Sequence, residues 1–319
     1  MTNANFVVHD IEIQKENMLE EVLSGLNSPV KTIHAKYFYD KKGSELFEQI
    51  TETDEYYQTR TEIWILEKYR NEIADRVGHV TTLIEYGSGS SKKIKTLLAS
   101  LHSLKRYMPI DISRDFLLES CLNLSVEFPE LQIEAVCGDY MHPLSLPLDH
   151  SERKVVFFPG STIGNFERNE VHDFLHRTSN LLNSGDGFII GVDLKKDIRI
   201  LNAAYNDSKG VTEAFNLNVL NRINHDLGAN FQIDQFEHVA FYNEEKGRIE
   251  MHLKSTCDQQ VTIGSHVITF QEGEHIHTEN SYKYTVPEFQ DMVHQCGFAP
   301  ITVWTDEKQL FSVHYMEKK

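Results

Sequence analysis

The stretch Thr82-Leu83-Ile84-Glu85-Tyr86-Gly87-Ser88-Gly89-Ser90-Ser91 decides the fold. Leu83 and Ile84 close a short apolar run that reads as a buried strand, Gly87 and Gly89 permit a tight turn, and Lys92 to Ser100 (KKIKTLLAS) opens a helix. Strand, glycine turn and helix in that order are how a doubly wound sheet approaches a nucleotide-like ligand, because glycine lets the ligand lie against bare backbone. The third glycine of the dinucleotide fingerprint is missing, with Lys92 in its place, and no Gly-Lys-Ser/Thr follows. Glu85, just before the first glycine, repels a pyrophosphate and suits a cationic or hydroxyl-rich ligand. The competing reading is an ordinary glycine turn.

S-adenosylmethionine (SAM), with its sulfonium, amino group and ribose diol, is a ligand of that kind. Outward from the turn, the next strand, Arg106 to Ile110, ends on Asp111, where a doubly wound fold bonds a ribose diol. The alternative for Asp111 is a helix cap, a job for which Ser113 competes. A third strand, Ile133 to Cys137, runs into Gly138-Asp139-Tyr140, a carboxylate beside an aromatic ring that suits adenine by hydrogen bond and by stacking. The fourth, Lys154 to Phe158 (KVVFF), is continuously apolar after its lysine, as a buried parallel strand should be. It leads into Pro159-Gly160-Ser161-Thr162-Ile163-Gly164-Asn165, then a helix from Glu167 to Leu182. Asn165 offers an amide to a carboxylate or amine, or else caps that helix. A fifth strand, Gly187 to Val192, ends at Asp193.

Beyond Asp193 the alternation of strand and helix breaks. Helical stretches at Leu201 to Tyr205 and Gly210 to Leu227 precede antiparallel strands at Phe231 to Tyr242 and Arg248 to Thr256, and more strands follow at Val261 to Ile263, Val267 to Gln271 and His277 to Tyr284. This block reads as an insertion carrying substrate contacts. A helix opened by Pro287 and stopped at Gly297 follows, then a hairpin of Ile301 to Thr305 and Phe311 to Met316. Ahead of the glycine turn, residues 10–27 look like an amphipathic helix ended near Gly25. Two tyrosine clusters come next, Tyr37-Phe38-Tyr39 leading into a helix at Glu45 to Ile50, and Tyr56-Tyr57 before a helix from Thr61 to Val77. Either cluster is accounted for by packing with a polar tip at the surface.

At 319 residues about two domains are expected. The net charge of −17 argues against a nucleic-acid partner, since neutralising phosphates needs a basic surface. No apolar run approaches the roughly 18 residues that span a membrane, and the first residues lack a basic-then-apolar signal pattern. Cys121, Cys137, Cys257 and Cys296 show no CxxC spacing and read as buried thiols in a reducing cytoplasm. His275 and His277 share a strand face, yet no third ligand is evident, so no metal is expected.

With these residues placed, the chain closely resembles the SAM-dependent L-histidine Nα-methyltransferases of ergothioneine biosynthesis. The resemblance covers nearly the whole chain. It is carried by Tyr37-Phe38-Tyr39-Asp40, Gly43-Ser44-Glu45-Leu46-Phe47, Glu55-Tyr56-Tyr57-Gln58-Thr59-Arg60, Glu85-Tyr86-Gly87-Ser88-Gly89, Val136-Cys137-Gly138-Asp139, Gly160 to Asn165, Gly210-Val211-Thr212 with Ala214-Phe215-Asn216, and Phe236-Glu237-His238-Val239-Ala240. It implies an α/β fold, a class I Rossmann-like methyltransferase sheet with a second, α+β substrate-binding domain. The SAM-binding domain is expected from residues 61–196 and 286–319, the substrate-binding domain from 1–60 and 197–285. Gly87, Lys93, Asp111, Asp139 and Tyr140 are expected at SAM. Tyr56, Gly160, Asn165, Tyr205, Glu279 and Ser281 are expected at the substrate, Asn165 and Tyr205 on its α-carboxylate and the Glu279-x-Ser281 pair on imidazole. Tyr86 and Gln58 depart from the family pattern, which favours an aliphatic residue and a proline there.

The implied reaction moves three methyl groups to the α-amino nitrogen of L-histidine, giving the trimethylated betaine, hercynine. An α-amino group has a pKa of about 7.7–8.0 and must be neutral to attack. Tyr39 is the expected proton acceptor, directly or through water. Imidazole needs one acceptor and one flexible donor or acceptor, which Glu279 and Ser281 supply from one face of a strand. Tyrosines give the growing ammonium a cation-binding face. The expected protein is a cytoplasmic, metal-free monomer taking a small-molecule substrate. The alternatives are a same-fold methyltransferase of another amino acid or histidine derivative, and a SAM-binding protein without turnover.

Overall fold

A computed structural model describes residues 6–11, 18–89, 92–148 and 151–319. Ser90 and Ser91 of the glycine stretch, and residues 12–17 of the expected first helix, lie outside the described residues. In chain order the elements are β1 (Phe6–Asp10), α1 (Met18–Leu26), β2 (Lys31–Thr32), α2 (Lys41–Thr51), α3 (Gln58–Lys68), α4 (Arg70–Val77), β3 (Thr82–Tyr86), α5 (Lys92–Ser100), β4 (Arg106–Asp111), α6 (Arg114–Glu127) and β5 (Gln132–Cys137). There follow β6 (Lys154–Phe158), α7 (Arg168–Leu181), β7 (Gly187–Asp193), α8 (Ile198–Ala204), α9 (Val211–Leu227), β8 (Phe236–Asn243), β9 (Arg248–Ser255), β10 (Gln259–Ile263), β11 (His266–Phe270), β12 (His275–Tyr282), α10 (Val286–Gln295), β13 (Phe298–Thr305) and β14 (Phe311–Lys318).

The chain divides into two units. The first gathers β1 with Gln58–Lys195 and Lys283–Lys319. Its eight-stranded sheet runs β1-β5-β4-β3-β6-β7-β14-β13. Strands β1 to β7 of this order are parallel, and β14 enters antiparallel beside β7 with Phe311 opposite Asp193. The expected Rossmann-like order is thus present, with β1 added at one edge. Because β3 sits between β4 and β6, the sheet grows outward in both directions from it. The loops leaving the carboxyl ends of β3 and β6 flank that switch point, where open α/β sheets bind ligands. Every residue of β3 and β6 is buried, as central parallel strands require. Ile65, Leu66, Ile73 and Val77 of α3 and α4 pack with Leu83, Val155 and Ile189 at zero exposure. Each contributes about 1.5–3 kcal/mol by leaving water.

The second unit comprises 18–57 and Lys196–Tyr282. Its four-stranded sheet runs β2-β12-β9-β8, with β10 and β11 as a separate hairpin. Helix α9 packs on β8, β9 and α2, burying Phe215, Val219, Leu220 and Ile223.

Several expectations need correction. Residues 1–60 are expected together in the substrate-binding domain, but β1 is an edge strand of the large sheet, pairing parallel with β5 from Phe6 opposite Ile133 to Asp10 opposite Cys137. The helix expected over 61–77 begins at Gln58 and breaks at Tyr69 into α3 and α4. Helix α2 starts at Lys41, earlier than Glu45, because the Asp40 carboxylate caps the Gly43 N–H at 2.6 Å. Cys257 is half-buried, unlike the other three cysteines. It lies in the turn from β9 to β10. No helix among the described residues is long and apolar enough to cross a membrane.

Candidate functional site

The first unit carries the residues expected at SAM. Past β3 the backbone turns through Gly87 (φ 68°) and Gly89 (φ 41°), left-handed values open to glycine at little cost. The Gly87 N–H donates to the Ile110 carbonyl at 2.8 Å, tying the turn to β4. Asp111 closes that strand. Its carboxylate accepts the N–H of Ser113 at 2.8 Å on one oxygen and that of Gly89 at 3.3 Å on the other. Ser113 makes no side-chain cap on α6. Burial raises the Asp111 carboxyl above its usual range, opposed by these backbone donors. Each oxygen keeps a second lone pair, which fits a vicinal diol. The Ser88 hydroxyl is buried with no hydrogen-bond partner among the described residues. A polar ligand at the glycine turn meets that need.

Asp139 follows β5 and accepts the Met141 N–H at 2.8 Å. The next ring, Tyr140, stacks on Tyr86 with centroids 5.5 Å apart and meets Phe158 and Phe174 edge-on. Tyr86, where the resemblance implies an aliphatic residue, thus packs its ring against Tyr140. Burial pushes the Tyr86 hydroxyl up to about 12.

Glu85 behaves differently from the anion read in the sequence. It is 1 % exposed and receives the Tyr107 hydroxyl. Burial lifts its carboxyl to about 8, against the Tyr107 bond and the Lys93 charge, so it is mostly protonated at neutral pH. The anion here is Glu62 of α3, which the sequence reading passed over. Its carboxylate is fully buried, pairs with Lys93 Nζ at 2.7 Å, and accepts the Gly160 N–H at 3.1 and 3.0 Å. Gly191 makes room for it, since a Cβ there would lie 2.1 Å from a Glu62 oxygen. The signal was a carboxylate three and four residues before Ile65 and Leu66, on the apolar stripe of a helix.

Asn165 ends a 3-10 turn over Thr162–Asn165. It does not cap α7: that task falls to Glu167, in a capping box with Glu170. Gly160, Lys93 and Asn165 are therefore joined through one loop and the Glu62 carboxylate.

The second unit holds the aromatic and Glu-x-Ser groups. Tyr39 and Tyr56 both present edges to Phe47, at 5.9 and 6.2 Å, and Tyr39 also meets Phe215 at 5.9 Å. The Tyr205 hydroxyl donates to Ser281 Oγ at 2.8 Å. Glu279 and Ser281 share one face of β12, opposite Met251 and Ile249 of β9. Alternation puts them on one face, and a β-bulge between His277 and Glu279 sets that face opposite to the one His277 presents. Without it Glu279, two residues on, would share the face of His277, which stands opposite His252. The bulge is invisible in the sequence.

On that opposite face the structure supplies the partners that sequence did not reveal for the histidine pair. Ligand atoms of Glu250, His252 and His277 lie within 4.8 Å of one another. One Glu250 oxygen is engaged by Arg248 at 2.8 and 2.7 Å, while His252 stacks between Phe241 and His277. Burial lowers the His252 imidazole to about 4.

Comparison with known proteins adds to this geometry. The family model described as "Histidine-specific methyltransferase, SAM-dependent" matches residues 18–318. The chain is 38% identical over 308 residues to a histidine N-alpha-methyltransferase of Mycolicibacterium smegmatis, covering 95% of each protein. It is 38% identical over 303 residues to the enzyme of the same name from Mycobacterium tuberculosis, covering 93% of this chain and 94% of that one. It is 31% identical over 292 residues to ergothioneine biosynthesis protein 1 of Neurospora crassa, covering 88% of this chain and 32% of that protein.

Proposed function

The chain belongs to the SAM-dependent, histidine-specific methyltransferase family, and from that premise we propose that it methylates the α-amino nitrogen of L-histidine three times, giving hercynine for ergothioneine synthesis. The observation that carries the choice of substrate is the bulged β12, with Glu279 and Ser281 on one face and the Tyr205 hydroxyl bonded to Ser281. An acceptor and a flexible donor or acceptor on one face suit the two nitrogens of an imidazole.

SAM, when bound, supplies a methyl group already activated by its sulfonium. In this reading the turn at Gly87 and the ring of Tyr140 receive it, with Asp111 on the ribose, Asp139 on adenine, and Lys93 alongside. Asn165 and Tyr205 take the α-carboxylate of histidine, Gly160 is a further substrate contact, and Tyr56 lines the amine. The attacking nitrogen must be neutral. It therefore gives up a proton before the first transfer and another after each of the first two; the third leaves a quaternary centre with none to lose. Tyr39 accepts those protons directly or through water. The phenol rings of Tyr39 and Tyr56, grouped about Phe47, offer π faces to the growing cation. On this account the first unit is the SAM-binding domain and the second selects the amino acid. The protein works as a metal-free cytoplasmic monomer, with neither nucleic acid nor membrane as partner.

The test is incubation of purified protein with SAM and each of the twenty amino acids, with products read by mass. Histidine alone gaining three methyl groups is the expected result. Methylation of another amino acid in preference would move the assignment within the family, and SAM binding without any product would leave a binding protein.

A further inference from the structure

Two sequence blocks, Ala214-Phe215-Asn216 and Phe236-Glu237-His238, have no part in the chemistry above. In the second unit they meet. Asn216 of α9 is fully buried, and its amide nitrogen donates to the His252 carbonyl at 3.0 Å and to His238 Nδ1 at 2.9 Å. Its amide oxygen accepts the Thr278 hydroxyl at 2.8 Å. The carbonyl of His252 fixes which way the amide points, because only N–H groups are favourable against it. His238 Nδ1 must then be an acceptor. The ring proton therefore sits on Nε2, which donates to the Tyr205 carbonyl at 2.9 Å. Burial holds this imidazole below its ordinary pKa, although Glu213 and Asp207 pull the other way, in keeping with a neutral ring.

The ends of this chain of bonds are the two places that matter for the amino acid. One is Tyr205, whose hydroxyl returns to Ser281 and closes the circuit. The other is Thr278, the bulge residue that turns Glu279 and Ser281 to their face, 2 % exposed and also within 3.1 Å of the Met251 carbonyl. A strand whose register shifts by one residue presents the wrong side chains, so a bulge that sets specificity needs pinning.

We propose that Asn216, His238 and Thr278 are positioning residues, a hydrogen-bond relay that fixes Tyr205 and the bulge of β12 against each other and so sets affinity for the amino acid. The inference rests on the histidine reading. It places no relay member in contact with substrate: their effect runs through Tyr205, Glu279 and Ser281.

Steady-state kinetics of the full chain test it, with Asn216→Ala, Thr278→Val and Thr278→Ser. The relay predicts a KM for histidine raised on the order of tenfold in N216A and T278V, as for loss of a buried hydrogen bond, with kcat changed by less than about twofold. SAM affinity should be unchanged, and a far-UV circular dichroism spectrum matching the wild type certifies the fold. T278S keeps the hydroxyl and should return to the wild-type KM. If N216A fails to fold, T278V decides alone, since valine suits a strand as well as threonine. An unchanged KM in the variants, or a fall in kcat alone, overturns the relay. So does a 15N NMR signature of His238 with the proton on Nδ1. A wild type that binds SAM but leaves histidine unmethylated overturns the histidine reading, and the relay's role with it.

Discussion

Replacing Glu62 by glutamine isolates the charge in the network behind Gly160. The glutamine carbonyl still accepts the Gly160 N–H, which the carboxylate holds at 3.0–3.1 Å. Lost is the partner of Lys93, whose Nζ lies 2.7 Å from the carboxylate and whose side chain is 16% exposed. Removing one member of a buried pair costs about 3–5 kcal/mol, because the remaining charge is stranded. Residual exposure of Lys93 lets water reach the ammonium, so about 3 kcal/mol is expected. At about 2–4 °C per kcal/mol this lowers Tm by about 6–12 °C. The assay is chemical and thermal unfolding without SAM, so that ligand loss does not contribute. Glu62→Gln combined with Lys93→Met removes both charges and should recover about 2 kcal/mol of the loss. A single variant within about 0.5 kcal/mol of wild type, or a double variant worse than either single, would refute the reasoning.

Burial holds Glu85 protonated to about 8, well above its unfolded value, so the folded state binds the extra proton. Its contribution to stability is fully present below the unfolded pKa and is lost as pH rises towards 8; relative to Glu85→Gln, the wild type should lose about 1 kcal/mol per pH unit between pH 5 and 8 in urea unfolding, and parallel curves would contradict it. Tyr56→Ala should weaken dimethylhistidine more than histidine in calorimetric titration, by about 1 kcal/mol, if the rings serve the cation; equal losses remove that role. Chelation followed by elemental analysis should leave turnover unchanged, whereas activity restored only by added metal would make Glu250, His252 and His277 the first residues to replace.

Much of the first unit was legible because its signals are local. The apolar runs Leu83-Ile84 and Val155-Val156-Phe157-Phe158, each ending in glycine-containing loops, specify parallel strands and the turns that leave them. Edge strand β1 was not legible: its five residues, Phe6–Asp10, have one apolar face and take their identity from pairing with β5. Glu62 was missed because a lone carboxylate on an apolar stripe acquires meaning only when Lys93 and the Gly160 N–H are brought to it by the fold. Alternation in β12 correctly grouped Glu279 with Ser281. That these two point away from His277 depends on one extra residue in the ladder, which no spacing rule reveals.

The most direct measurement follows the mass of histidine over time with purified protein and SAM alone, with fragmentation to locate the methyl groups. The account predicts one, two and then three methyl groups, all on the α-nitrogen. A product that stops at one methyl, carries it on the imidazole, or never forms would contradict it.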